Sequence, residues 1–157
     1  MILLELVLKD ALWSAVAATG FAMLFNVPKR TLVGCALCGA LGHAIRTLLL
    51  HEFEVSIAWA TLLGALAVGG AGQYLAKRYA APSPIFTVCG TIPMVPGVFA
   101  YRTMLGIIEL SSASPESSEA ILSRTVINAI TVGLVLVAIV AGIIAPQILF
   151  DRQKPVV

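Results

Sequence analysis

The sequence predicts an all-α, polytopic integral membrane protein with five transmembrane helices, the fourth of them broken at Pro93–Gly97. Three observations carry this. The 157 residues are 59% hydrophobic and 11% charged, whereas a soluble domain is about a quarter charged. The mean hydropathy is +0.99. The apolar runs reach the ~20 residues that a spanning helix needs, and short charged or proline-bearing stretches separate them. Residues 1–157 then form a single membrane domain, with no stretch left for a soluble nucleotide-binding or catalytic module. The net charge of +2 is too small to point to nucleic acid.

The first span covers about residues 6–25 and ends at Asn26-Val27-Pro28, because proline disfavours helix at the residue before it. Its start does not read as a cleavable leader: a basic opening is missing, and Glu5, Lys9 and Asp10 interrupt the apolar stretch. Lys29-Arg30 form a basic loop. The second span, 31–50, carries Gly34, Gly39 and Gly42, small residues that let another backbone approach. Cys35-Ala36-Leu37-Cys38 matches a CxxC spacing, but a hydrophobic helix without a second ligand pair makes these packing residues rather than a metal or redox site.

The third span, 55–75, has Trp59 and Tyr74 near its ends and four glycines, Gly64, Gly69, Gly70 and Gly72. The glycine faces of spans two and three are expected to meet a partner. Span four, 85–108, contains Ile92-Pro93-Met94-Val95-Pro96-Gly97 within an uncharged run. Each proline removes a backbone donor and clashes with the preceding turn. Broken backbone in a bilayer persists only where protein buries it or it lines a watery cavity. Residues 111–119 read as a polar, acidic loop, and span five covers 125–150.

Five spans place the termini on opposite sides. Lys29, Arg30, Lys77, Arg78, Arg152 and Lys154 then fall on one side, and Glu52, Glu54, Glu116 and Glu119 on the other, with Lys9 and Arg124 as its only nearby bases. Basic loops stay cytoplasmic, so the N-terminus is expected outside and the C-terminus inside.

The residues that could carry chemistry cluster around the break. With Pro96 opening a new helix, the amides of Gly97, Val98 and Phe99 are free at the positive end of a helix dipole, an arrangement that attracts anions. Pro93, Pro96, Gly97 and Val98, with Arg102, Arg46 and His43, are therefore candidate substrate-binding positions. Arg102 lies five residues beyond Gly97 and adds positive charge; its alternative is a salt bridge to Asp10 or Glu109. Arg46 either faces the bundle interior or snorkels to the outer interface. His43, three residues earlier and on the same face, suits proton coupling or a structural hydrogen bond. Asp10 and Glu109 are candidate counter-charges or proton acceptors. Asn128 reads as an interhelical hydrogen-bonding residue. No serine has a partner base, and no phosphate loop or metal cluster is visible, so an enzyme is not expected, nor is a cofactor or metal.

Gly20-Phe21-Ala22-Met23-Leu24-Phe25-Asn26-Val27-Pro28, then Gly42-His43-Ala44-Ile45-Arg46, then Ile92-Pro93-Met94-Val95-Pro96-Gly97 followed by Tyr101, resemble the threonine/serine exporter family in its short, split form. The resemblance covers essentially the whole chain, and the proline-bearing segment is its most specific part. It implies a bacterial inner-membrane exporter in which a small membrane subunit works with a larger membrane subunit of the same family. Succinate export is associated with the split pair, and threonine and serine export with fused forms. The expectation is a secondary exporter of small carboxylates, succinate or a related dicarboxylate. Threonine/serine export is the alternative within transport, and a non-transporting scaffold that stabilises its partner is the alternative outside it.

Overall fold

The computed structural model describes residues 2–112 and 114–150. Among them there are six α-helices and no strand: α1 (Ile2–Leu24), α2 (Leu32–Glu52), α3 (Ile57–Tyr79), α4 (Pro84–Thr91), α5 (Gly97–Ser112) and α6 (Pro115–Phe150). Turns of 3-10 helix occupy Lys29–Thr31 and Ile92–Met94. The all-helical class is as expected, and the fourth helical stretch is interrupted where the two prolines predict. The basic tail residues Arg152 and Lys154, used in the orientation argument, lie outside the described residues.

The five-span count is not reproduced by length and apolarity. Among the described residues, three stretches are long and apolar enough to cross a membrane: Leu3–Leu24, Lys29–Glu52 and Ser118–Leu149. A fourth joins them if the helices on either side of the break count as one span. The expected third span, α3, is long enough at 23 residues. Four glycines and Gln73 dilute its apolar character. α6 also starts earlier than expected, at Pro115 rather than near 125. Proline suits a first helical position, where its missing amide hydrogen leaves no gap in the ladder.

The chain divides into two compact units, residues up to Met94 with those from Ala138 onward, and Val95–Val137. In the first unit α2 is the central helix, with α1, α3 and α4 packed against it. α1 closes with Asn26 in the left-handed region at φ 53°, and the Val27 amide reaches back to the Ala22 carbonyl at 3.0 Å. Asparagine tolerates that conformation better than most residues.

The core of this unit is made mostly of small side chains, packed around Phe86, Val68 and Met94. Ala18, Ala22, Cys35, Cys38, Ala60, Ala65 and Cys89 are buried, while Leu12, Trp13, Val33, Leu37 and Trp59 point outward and are more than half exposed. Water-soluble proteins bury their large apolar side chains. This inside-small, outside-large pattern is that of helices packed against each other and bathed in lipid, and the chain is a membrane protein. A Cβ on Gly64 would lie 2.7 Å from the Gly42 carbonyl oxygen, and one on Gly42 would lie 2.7 Å from Val68 Cγ2. The last part of α6 packs on α3 in the same manner, since a Cβ on Gly142 would lie 2.5 Å from that of Ala65. The glycine faces expected to meet a partner are thus used inside the chain.

Several threonine hydroxyls are satisfied within their own helices, Thr61 and Thr91 among them. Thr61 donates to the Ile57 carbonyl at 2.6 Å and Thr91 to the Thr87 carbonyl at 2.8 Å.

Gly64→Ala should lower stability by about 1–3 kcal/mol, because the new methyl meets backbone that cannot rotate away. Gly70→Ala, where nothing lies within 4 Å of a Cβ, should be neutral or gain up to about 1 kcal/mol from helix propensity. Denaturant unfolding of the two variants in detergent micelles checks the difference.

Candidate functional site

The break begins with what the prolines cannot do. Pro96 has no amide hydrogen, so the Ile92 carbonyl loses its helical donor. The Gly97 amide turns to the Val95 carbonyl at 2.8 Å, so the Pro93 carbonyl loses its donor as well. Carbonyls at the end of α4 and its 3-10 extension are therefore left outside the helical ladder.

Two side chains of α2 reach carbonyls of the break, those of Pro93 and Met94. The Nε2 nitrogen of His43 lies 3.0 Å from the Pro93 carbonyl oxygen. A carbonyl only accepts, so Nε2 carries the hydrogen. Arg46 donates from Nη1 to the Met94 carbonyl at 2.8 Å. The spacing of three residues puts both donors on one face of α2. A cation at the carbonyl end of a helical segment is also favoured by the segment's dipole. Asp10 of α1 stands beside this pair. It accepts from Thr47 Oγ1 at 2.7 Å, and its charge acts on both His43 and Arg46 without an ion pair forming. The Nδ1 atom of His43 is buried and has no hydrogen-bond partner among the described residues. Arg46 therefore faces inward rather than snorkelling, and its guanidinium is engaged with the backbone of the break.

In the second unit, Pro96 provides the first carbonyl of α5, accepting from Ala100 at 3.1 Å. The Gly97 amide is already bonded to Val95, so of the three amides expected to be free only those of Val98 and Phe99 have no backbone acceptor. Gly97 and Val98 are exposed, and a Cβ on Gly97 would meet nothing within 4 Å. Glycine is not sterically required there.

Arg102 does not share a pocket with those amides. It lines a cleft of about 450 Å³ between α5 and α6, with Glu109, Arg124, Thr125 and Asn128 among its walls. The only ion pair among the described residues joins Lys9 Nζ to Glu5 Oε1 at 2.7 Å, so Arg102 does not pair with Glu109 within its unit. The structure thus brings Pro93, His43, Arg46 and Asp10 together in one unit. In the other it brings Arg102 and Glu109 together, and keeps Gly97 and Val98 apart from their cleft. Thr47 and Arg124 were not singled out from sequence. Arg124 and Asn128, four apart, share a helix face, and that spacing was the available signal. Among the described residues no group of three or more His, Cys, Asp or Glu side chains is placed to hold a metal ion.

Comparison with known proteins gives a consistent picture. Residues 10–149 match the family described as Threonine/Serine exporter, ThrE. A relative from Haemophilus influenzae, described as an uncharacterized protein, is 42% identical over 150 residues, which is 96% of this chain and 50% of the relative. The chain spans about half the length of that relative. No solved structure matches the chain.

Arg46→Gln keeps a donor but removes the charge, and should destabilise the protein by roughly 1.5–3 kcal/mol, the range for a hydrogen bond to a charged group. Arg46→Ala should cost more, since it leaves the Met94 carbonyl unpaired in a buried setting. Unfolding of both variants in the same micelles, with Arg30→Ala on the basic loop as the neutral reference, checks the order.

Proposed function

The chain belongs to the threonine/serine exporter family, and from that premise we propose that it is the small, YjjB-like membrane subunit of a two-part secondary exporter of small carboxylates. Succinate or a related dicarboxylate is the substrate in this reading, and a larger, YjjP-like membrane subunit of the same family is the partner. The protein sits in the bacterial inner membrane with five crossings, α4 and α5 together making the fourth, the N-terminus outside and the C-terminus in the cytoplasm.

One observation carries the reading beyond the family. A helix is broken by two prolines, and the broken backbone is held by His43 and Arg46 rather than left to chance. In transporters, discontinuous helices lie where substrate is bound, with helix N-termini aimed at anionic groups. The unbonded amides of Val98 and Phe99 at the start of α5 supply such an end. A carboxylate is the natural ligand for it. The length of the Haemophilus influenzae relative, about twice that of this chain, supports a transport unit that includes a second part.

Threonine or serine export remains as the second reading, favoured by the family's description. It requires a carboxylate to hold the substrate ammonium, and Glu109 is available for that.

Vesicles containing this chain, the larger subunit or both, loaded with labelled succinate, threonine or serine, test the proposal. Succinate efflux is expected only with both subunits present. Efflux of amino acids alone would transfer the assignment to the second reading. Pro96→Ala, which restores a backbone donor to the break, should reduce succinate efflux by about tenfold or more, a loss of about 1.4 kcal/mol or more in transition-state binding. Gly97→Ala, unhindered by any neighbour, should leave efflux within about twofold of the parent if only backbone amides are used.

A further inference from the structure

The first unit is polarised along its length. α2 has 21 residues, about 30 Å at 1.5 Å per residue, which is close to the thickness of a bilayer's hydrocarbon core. α1 runs antiparallel to it, since Asp10 of α1 meets Thr47 late in α2 and Ala18 meets Gly39 near its middle. The acidic residues Glu5, Asp10, Glu52 and Glu54 therefore belong to one half of the unit. The opposite end carries Lys29 and Arg30, between α1 and α2, and Lys77 and Arg78, in the last turn of α3.

The fold brings these two basic pairs to the same place. Phe86 of α4 is buried. Val27 and Leu32, on either side of the first pair, pack against the cluster that contains it. So do Leu75, Ala76 and Tyr79, which bracket the second pair. The Tyr79 and Phe86 rings lie 5.8 Å apart. A Cβ on Gly34, at the start of α2, would lie 2.6 Å from Phe86 Cε1. Both turns are tied down by backbone. The Thr31 amide donates to the Pro28 carbonyl at 2.9 Å. Ala80 ends α3 in the left-handed region at φ 47°, and the Ala81 amide returns to the Ala76 carbonyl at 3.1 Å.

All four basic side chains are exposed, and none forms a hydrogen bond or ion pair among the described residues. Helix electrostatics account for only one of the pairs. Cations in the last turn of α3 suit its dipole, whereas Lys29 and Arg30 stand before the first turn of α2, whose dipole disfavours a positive charge there. No carboxylate of this unit is at that end to offset them, so the anion must come from outside the chain.

The surroundings of the basic pairs are apolar. Tyr74 lies three and four residues before Lys77 and Arg78, on the same helix face, and is more than half exposed. Leu24 and Phe25, beside the other pair, are more than half exposed as well. Tyrosine at the end of a membrane helix sits at the level of the headgroups, and clustered lysine and arginine at that level attract anionic lipid. A soluble anion would use the charges and leave the neighbouring apolar side chains uncovered.

We propose that this end of the unit binds anionic phospholipid, with Lys29, Arg30, Lys77 and Arg78 on the headgroup phosphates and Leu24, Phe25 and Tyr74 against the adjoining acyl chains. The surface is independent of which substrate the protein carries.

The test uses the full chain in neutral detergent, offered equal amounts of phosphatidylglycerol and phosphatidylcholine with the same acyl chains. The protein is captured on a resin and washed, and the retained lipids are extracted and quantified. The parent should retain phosphatidylglycerol over phosphatidylcholine by about tenfold or more, since each basic residue near an anionic surface is worth about fivefold. Lys29→Gln with Arg30→Gln, and Lys77→Gln with Arg78→Gln, should each lower that preference about fivefold or more. The quadruple variant should abolish it. Salt at about 1 M, where the screening length shrinks to about 3 Å, should weaken the preference of the parent. Excess inorganic phosphate at constant ionic strength should not displace the lipid. Lys9→Gln, whose partner Glu5 is at the opposite end, should match the parent. Helical circular dichroism confirms that each variant is folded.

Equal retention of the two lipids by the parent would overturn the proposal, as would a preference unchanged in either pair variant. Displacement by inorganic phosphate would overturn it too, by showing a site for free anions. Should the quadruple variant fail to insert, the pair variants decide, because each keeps two bases at this end to orient the chain.

Discussion

A carbonyl group in a bilayer must have a donor. Water is absent from the hydrocarbon region, and an unpaired backbone group there costs several kcal/mol. Pro93 and Pro96 withdraw donors from one helix, and the surrounding structure follows from how the deficit is met. His43 and Arg46 of α2 cover the Pro93 and Met94 carbonyls. For those side chains to reach, α2 must lie close to α4, and the close approach is possible because Gly34 and Gly90 face Phe86 and Cys38 at the crossing. Asp10 and Thr47 then stand behind the arginine. A breach in one helix thus specifies the face of a second helix and the position of a carboxylate on a third.

The same requirement explains the composition of the core. Lipid offers no hydrophobic drive for one helix to leave it for another, so association relies on packing and interhelical hydrogen bonds. Small side chains bring backbones together, and Cys35, Cys38 and Cys89 are buried among them as free thiols. Their burial agrees with the packing role expected from sequence for the CxxC pair. Large side chains are left on the outer surface, where they contact acyl chains at no loss.

The helical class and the place of the break could be read from residue order, because proline acts locally on its own helix. The pairing of His43 with Arg46 on one face was visible for the same reason. What they bind was not visible. A sequence displays donors, but which acceptor goes unpaired depends on how the chain on either side of Pro96 redirects its amides. Gly97 illustrates this: its amide was counted as free, yet it bonds the Val95 carbonyl. The cleft of Arg102 and Glu109 needed Arg124 as well, and that residue lies on another helix. The start of α6 was missed because serine and glutamate near a proline suggest a loop, although such residues also open helices.

The glycine content of α3 has a consequence for biosynthesis. The residues that let α3 sit against α2 and α6 are the ones that weaken its own affinity for lipid. A segment of that kind leaves the translocation channel readily only when a partner already in the membrane receives it. α2 precedes α3 by a few residues and carries Gly42, the group against which Gly64 closes. Under a five-crossing topology, α2 and α3 then enter as a hairpin. A lesion at Gly42 would be felt while the chain is still being made, as a failure of the following segment to insert, and would precede any effect on the finished protein.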